Sequence, residues 1–259
     1  MTWETIKTQT LTRDMLLALA NSEIGAVRVP NFLSPEVCKL AVQGIQAHGI
    51  DYYENVFPRI GRIGTTQFEH RFSPEKKKEY FVKAVTAHAT RKDIFKDTGD
   101  LLSKVVDYVG DAWGRKTGLA IEDDTQEQYF AGLIRVINKA LLHLDWAQFD
   151  APEWTIGKIS AQLAWNIYLQ MGSEGGATIV YRRLWQEPDE AHQVPNSYGY
   201  DHSLIEGCDF VEILPEPGEL VFFNSRNFHR VEATGGEVER VTISSFIGLM
   251  PNNELVFWS

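Results

Sequence analysis

Cysteine is scarce: only Cys38 and Cys208 occur, far apart in sequence. That excludes a disulfide framework and a cysteine-ligated zinc site, and it makes a reducing cytoplasmic compartment the expected location. No apolar run approaches the ~20 residues of a membrane span, and the opening MTWETIKTQT lacks the basic-then-apolar pattern of a signal peptide, so no membrane partner is expected. Clustered cations are also missing: the densest basic run is Lys76 to Lys78, in a chain of formal net charge −10 and pI near 5.2. A nucleic-acid surface needs such clusters to displace counterions from phosphates, so no nucleic-acid partner is expected either. Repeats, low-complexity segments and linkers rich in Pro, Gly or Ser are absent, which predicts one domain over 1–259. Within it, 1–128 reads as mainly helical support with a substrate loop, and 129–259 as the β-rich core.

With 44% hydrophobic and 23% charged residues, the composition is that of an ordinary globular protein. Residues 11 to 21 carry apolar residues at helical spacing and lead into GAVRVPNFL, a short strand ended by Pro30. Ser34 followed by Pro35 reads as an N-cap and first helical position, with Val37, Leu40 and Ile45 facing inward. Two longer helices are predicted around Pro74 to Thr90 and Ile94 to Arg115. Their inward stripes are Phe81, Val82, Val85 and Leu101, Leu102, Val105, Val106, Val109. Between them and the first helix, Gly61 to Phe72 is polar and glycine-rich, a loop or irregular strand.

From Phe130 the periodicity becomes that of strands: AGLIRVIN, KALLHLDWAQF, ISAQLAWNIYLQ, GGATIVYRRLW, FVEILPEPGELVFF and ELVFWS. About seven antiparallel strands of this kind predict an α+β protein with a double-stranded β-helix core, a cupin-like jelly roll buttressed by the N-terminal helices. The stretch Pro215 to Phe246 is expected to form a closing hairpin. Its strands are Glu219 to Phe223 and Arg240 to Gly248, returning through Gly235 and Gly236, with His229 just past the first strand.

The chemistry concentrates in a few residues. His143 and Asp145 stand two apart in LLHLDWAQF, so on a strand both side chains point to one face. Together with His229 they make two imidazoles and one carboxylate, a set that occupies one face of an octahedral Fe(II) and leaves the opposite positions open. Arg240 followed by Thr242 offers a fork of donors and a hydroxyl on one strand face, which suits the distal end of a dicarboxylate.

Taken in this order, HLDWA, then N-x-Y-L-Q…GG-x-T-x-V-Y, then PGELVFFNSRNFHRVE…RVTISSFIG, the motifs over Gly132 to Trp258 resemble the Fe(II)/2-oxoglutarate-dependent oxygenase superfamily. Within it the chain is similar to the free-standing hydroxylases and halogenases that act on amino acids and alkaloids. The resemblance implies iron ligation by His143, Asp145 and His229, and capture of the C5 carboxylate of 2-oxoglutarate by Arg240 and Thr242. It adds Asn166, Tyr168 and Thr178 as further cosubstrate contacts, and O2 as oxidant. Halogenases of the group carry a small residue in place of the iron carboxylate; Asp145 here implies hydroxylation of an unactivated C–H, or another two-electron oxidation such as desaturation.

For the small-molecule substrate, an amino acid or its derivative, Arg71 and His70 are expected to clamp a carboxylate, and Glu69 or Glu127 to receive an amine. Trp146 and Trp258 are expected to wall the pocket. The polar segment Gln186 to Phe210 reads as a mobile lid, with His192 and His202 as bystanders. A non-catalytic cupin-type binding protein is the competing class, and a metal isomerase or dioxygenase without 2-oxoglutarate is a third. A homodimer through the helices is the expected assembly.

Overall fold

The structure, a computed structural model, describes residues 3–54 and 56–259. Four helices precede the β-rich part: α1 (Arg13–Ala20), α2 (Pro35–His48), α3 (Pro74–Ile94) and α4 (Leu101–Trp113). Each starts where a side chain can satisfy an otherwise orphaned amide: Thr12 accepts from Met15, Ser34 from Val37, Ser73 from Lys76, and Asp100 from Leu102 and Ser103. Among the described residues no helix is long and apolar enough to cross a membrane.

Eight strands carry the core: β1 (Leu133–Ile137), β2 (Ala140–His143), β3 (Ala161–Gln170), β4 (Thr178–Leu184), β5 (Phe210–Ile213), β6 (Leu220–Asn224), β7 (Asn227–Val231) and β8 (Val241–Leu249). They fall into two sheets, a larger one containing the run β6-β3-β8-β1 and a smaller one ordered β5-β4-β7-β2. Strands from the N-terminal half lengthen the larger sheet. Ala26–Val29 pairs with β6, Thr5–Lys7 lies beyond it, and Ile60–Ile63 pairs with β1. The first 128 residues therefore supply sheet as well as helices. Arg28 is fastened to Glu219 by two buried contacts of 2.8 and 2.5 Å, which ties the first of these strands to the entry of β6.

Alternation assigns the faces of the larger sheet. On β3, Leu163, Trp165, Ile167 and Leu169 pack in the core shared with α1, α2 and α4, while Ala164 and Tyr168 pack with Val180, Val211 and Ile213 of the smaller sheet. On β8, Val241, Ile243 and Ile247 face the helices, which leaves Thr242 and Ser244 facing the smaller sheet. Fully burying a side chain the size of Leu or Phe contributes about 2–3 kcal/mol. The helix-facing layer is accordingly the main source of stability, and the opposite face is free to carry polar groups.

Several expectations are corrected. The closing segment is not a hairpin: β6 pairs with β3 and Ala26–Val29 in the larger sheet, and His229 lies within β7 of the smaller one. The chain crosses between sheets at Ser225 and Arg226 before β8 returns to the first sheet. Val82 and Val85 are 70% and 73% exposed; the buried face of α3 is instead Tyr80, Phe81, Ala84 and Ala87. On α2 the burial is carried by Cys38, Ala41, Val42 and Ile45, with Val37 and Leu40 only half-buried. The segment Gln186 to Phe210, read as a lid, carries short 3-10 turns at Glu187–His192 and His202–Ile205.

Candidate metal centre

His143 ends β2 and His229 is its direct partner on β7. Opposite residues of an antiparallel pair share a face, and the two ring centroids lie 4.2 Å apart. Asp145 lies just past β2, not on it. Its position is set by main-chain clamps: its N–H donates to Ser225 O at 2.9 Å, and its carbonyl accepts from Ser225 Oγ at 3.1 Å and Gln162 Nε2 at 3.2 Å. One ligand atom from each of His143, Asp145 and His229 falls within 4.8 Å of the others, with His229 Nε2 3.5 Å from Asp145 Oδ2.

The hydrogen bonds behind the rings fix which nitrogen is free. Nδ1 of His143 meets Leu141 O at 2.8 Å, and Nδ1 of His229 meets Asn227 O at 2.9 Å. A carbonyl can only accept, so both Nδ1 atoms carry the proton and both Nε2 lone pairs remain for a metal. Burial, reinforced by the His229 charge, pushes His143 down to about 4. Burial alone would raise Asp145, but the neighbouring His229 and His143 imidazoles and the Arg135 guanidinium hold its carboxyl below the usual range. Two neutral imidazoles and one carboxylate are the donor set suited to a borderline divalent ion such as Fe(II).

A second cluster of buried polar side chains is centred on Arg240. Arg240 is 3% exposed, and its Nη2 donates to Thr178 Oγ1 at 3.1 Å and Tyr168 Oη at 3.3 Å. It has no carboxylate partner among the described residues, and both its Nε and the Thr242 hydroxyl are buried without a hydrogen bond. Burial lowers the Arg240 pKa, opposed by Tyr168. Gly176 stands nearby at φ +77°, where a Cβ would come within 2.7 Å of Thr234 Oγ1. An unpaired donor on a buried guanidinium is a favourable place for an anion. Asn166 lies on the same sheet face, opposite Ser244.

The proposed substrate residues are scattered. Arg71 lies 3.7 Å from Asp150 and stacks on Phe68 and Phe72. His70 is buried against Tyr80, with Nδ1 on Thr66 O at 2.8 Å, so it is not a free clamp. Glu69 is held by Arg62 at 2.6 Å. Glu127 lines a groove between α3 and α4 of about 490 Å³ whose other walls include Phe81, His88 and Leu102 and none of the metal-centre residues. Trp258 is wholly buried against Phe246 and packs the core, so it cannot wall a substrate pocket. Trp146 is 5% exposed, with Arg226 5.1 Å above its ring.

The sequence reading passed over Arg135, Asp150, Tyr198, Ser225 and Gln162. Tyr198, from the folded segment after β4, sets its ring edge-on to His143 at 5.7 Å and accepts from Leu141 N at 2.9 Å. Arg135 interrupts the apolar run AGLIRVIN, and that interruption was the one signal available.

Fold and site together define a protein of the Fe(II)/2-oxoglutarate oxygenase superfamily. Within it, the chain belongs to the carrier-protein-independent halogenase WelO5 family, whose model matches residues 3–259. It is 39% identical over 222 residues to leucinostatins biosynthesis cluster protein S of Purpureocillium lilacinum, covering 81% of this chain and 90% of that one. It is 28% identical to L-gamma-glutamyl-L-propargylglycine hydroxylase of Streptantibioticus cattleyicolor, covering 100% of this chain and 97% of the relative. In fold it is similar to an N-substituted L-amino acid dioxygenase from Burkholderia ambifaria, with a TM-score of 0.65 at 14% identity over 95% of this chain and 91% of that one.

Proposed function

We propose that this protein is a non-haem Fe(II)- and 2-oxoglutarate-dependent oxygenase that hydroxylates an unactivated C–H of a small molecule, an amino acid or amino-acid derivative. The observation that carries the reading is the convergence of His143, Asp145 and His229 beside a buried arginine that lacks an anion. Apart from the adjacent pair β4 and β5, which share the smaller sheet, successive core strands switch between the two sheets, which supports reading them as one double-stranded β-helix within a single domain. The relative from Streptantibioticus cattleyicolor is named for hydroxylating a γ-glutamyl amino acid, which supports the substrate class.

His143, Asp145 and His229 would hold the metal; Arg240, Thr242 and Thr178 would hold the distal carboxylate of 2-oxoglutarate, with Tyr168 beside them and Asn166 on the same face. Iron, 2-oxoglutarate and O2 supply the oxidising power, the cosubstrate leaving as succinate and CO2. The protein's own part is geometric. The carbonyls of Leu141 and Asn227 aim the two imidazoles, Ser225 and Gln162 aim Asp145, and Tyr198 closes the edge of β2 over His143. A second reading, halogenation, is favoured by the family match. Asp145 speaks against it, because a carboxylate on the metal fills the position a halide would need.

Anaerobic mixing of the protein with Fe(II) and 2-oxoglutarate should produce the weak visible charge-transfer band of a chelated keto acid. No band at saturating concentrations would reject the assignment.

A further inference from the structure

Arg135 stands on β1 opposite Thr242 of β8, in a row of paired residues that runs Arg62, Arg135, Thr242, Tyr168 across the larger sheet. Its neighbours Ile134 and Val136 pack among the helices, so the alternation turns Arg135 toward the smaller sheet, where the metal centre lies. Its charge is felt at His143, Asp145 and Arg240 alike. Its Nε is buried without a hydrogen bond, and it makes no ion pair among the described residues. Glu69, the acid beside the neighbouring Arg62, is already engaged by Arg62 at 2.6 Å and by Thr66 at 3.0 Å. Asp145, whose carboxyl its charge helps to hold low, belongs to the metal centre.

A half-buried guanidinium with no acid of its own, its charge opposed by that of buried Arg240, is costly unless a ligand brings the anion. The charge balance says how much anion is needed. The two arginines and a divalent ion carry four positive charges against one carboxylate, Asp145, which leaves three. A dicarboxylate cosubstrate removes two of them. One positive charge remains, and it sits on Arg135.

We propose that Arg135 holds the carboxylate of the substrate, and that the substrate is accordingly a monoanion at this end, an amino acid or N-acylated amino acid with its α-carboxylate free. This deepens, and rests on, the oxygenase reading above. It assigns to Arg135 the part that Arg71 and His70 do not fill, Arg71 being neutralised by Asp150 and His70 being buried against Tyr80. A guanidinium can grip the carboxylate with two parallel donors, which would fix the orientation of the attached carbon chain relative to the metal.

The experiment uses a panel of N-acetyl and γ-glutamyl L-amino acids, each as the free acid and as the primary amide. Two readouts are followed: the melting temperature of the metal-free protein, and the shift of the anaerobic Fe(II)/2-oxoglutarate charge-transfer band. Free acids should raise the melting temperature and perturb the band, and the matching amides should do neither. Arg135→Gln should weaken the acid response by about thirtyfold or more, Arg135→Lys should restore part of it, and both variants should titrate 2-oxoglutarate within about twofold of the wild type. Circular dichroism of both variants establishes that they are folded. The proposal is overturned by amides binding as well as acids, by a wild type that responds to none of the panel, or by an unchanged acid response in folded Arg135→Gln. It is also overturned if that variant loses 2-oxoglutarate instead, which would make Arg135 a second cosubstrate clamp. Failure of the oxygenase reading itself looks different: the band never forms in the wild type, while the melting temperature still reports on the acids.

Discussion

His143 and His229 are direct cross-strand partners, with ring centroids 4.2 Å apart and each Nδ1 bound to a carbonyl two residues earlier in its own strand. Neither ring can turn away without breaking a main-chain hydrogen bond, so the two Nε2 atoms are held ready before any metal arrives. Removing either ring leaves an incomplete ligand set. Manganese(II) titration followed by electron paramagnetic resonance should show the affinity of His143→Ala and His229→Ala falling by about a hundredfold or more. Retention of wild-type affinity in either variant would remove that residue from the centre.

Arg240 differs from the metal ligands in what its loss should spare. It donates to Thr178 and Tyr168, not to the three ligands, and its Nε is buried without a hydrogen bond. Arg240→Met should therefore keep its metal while the 2-oxoglutarate concentration for half-saturation rises by about thirtyfold or more, the cost of removing one partner from a buried charge pair. Equal loss of metal in this variant would show that the arginine is structural.

How much of this was legible beforehand follows from what each signal encodes. The histidine and aspartate of LLHLDWAQF could be read because two residues apart on an extended chain share a face, a purely local fact. Arg240 and Thr242 were legible for the same reason. Which sheet a strand joins is not local: the apolar run of Leu220 to Phe223 is equally compatible with a hairpin and with a crossing between sheets, and the crossing is what occurs. Val82 and Val85 looked like core by spacing alone, yet the face of α3 that meets Trp154 is one step round, through Tyr80 and Phe81. Arg135 went unread because a lone arginine within an apolar strand gives no sign of which side is wet. Its significance depends on Thr242 standing opposite, a pairing more than a hundred residues away in sequence.

Asp145 decides between the hydroxylase and halogenase readings. Its backbone is held at both N–H and carbonyl, so shortening the side chain should leave the loop in place and only open a coordination position. Asp145→Gly, supplied with iron, 2-oxoglutarate and chloride, should lose hydroxylation by about a hundredfold or more, with any residual turnover diverted toward chlorinated product by mass spectrometry. Unchanged hydroxylation would mean that the carboxylate is not a ligand.

Asp150 gives a pH signature that needs neither metal nor substrate. Burial, with a further push from the Asp145 charge, raises its carboxyl to about 6 from the usual 3.8, against the pull of Arg71 at 3.7 Å. The folded protein thus binds this proton more tightly than the unfolded chain does. Stability from this group is complete below the unfolded value and is lost as pH rises from about 4 through about 6, because a buried carboxylate must then ionise. Asp150→Asn removes the titration, so its stability relative to the wild type should climb across that window. The full shift corresponds to about 3 kcal/mol at most, and loss of the Arg71 contact with partial solvent access brings the expected gain nearer 1–2 kcal/mol. Denaturant unfolding of both metal-free proteins at pH 4, 5, 6 and 7 measures the difference directly. A difference that stays constant with pH, or shrinks as pH rises, would show that the Asp150 carboxyl titrates as it does in the unfolded chain and that Arg71 already compensates its burial.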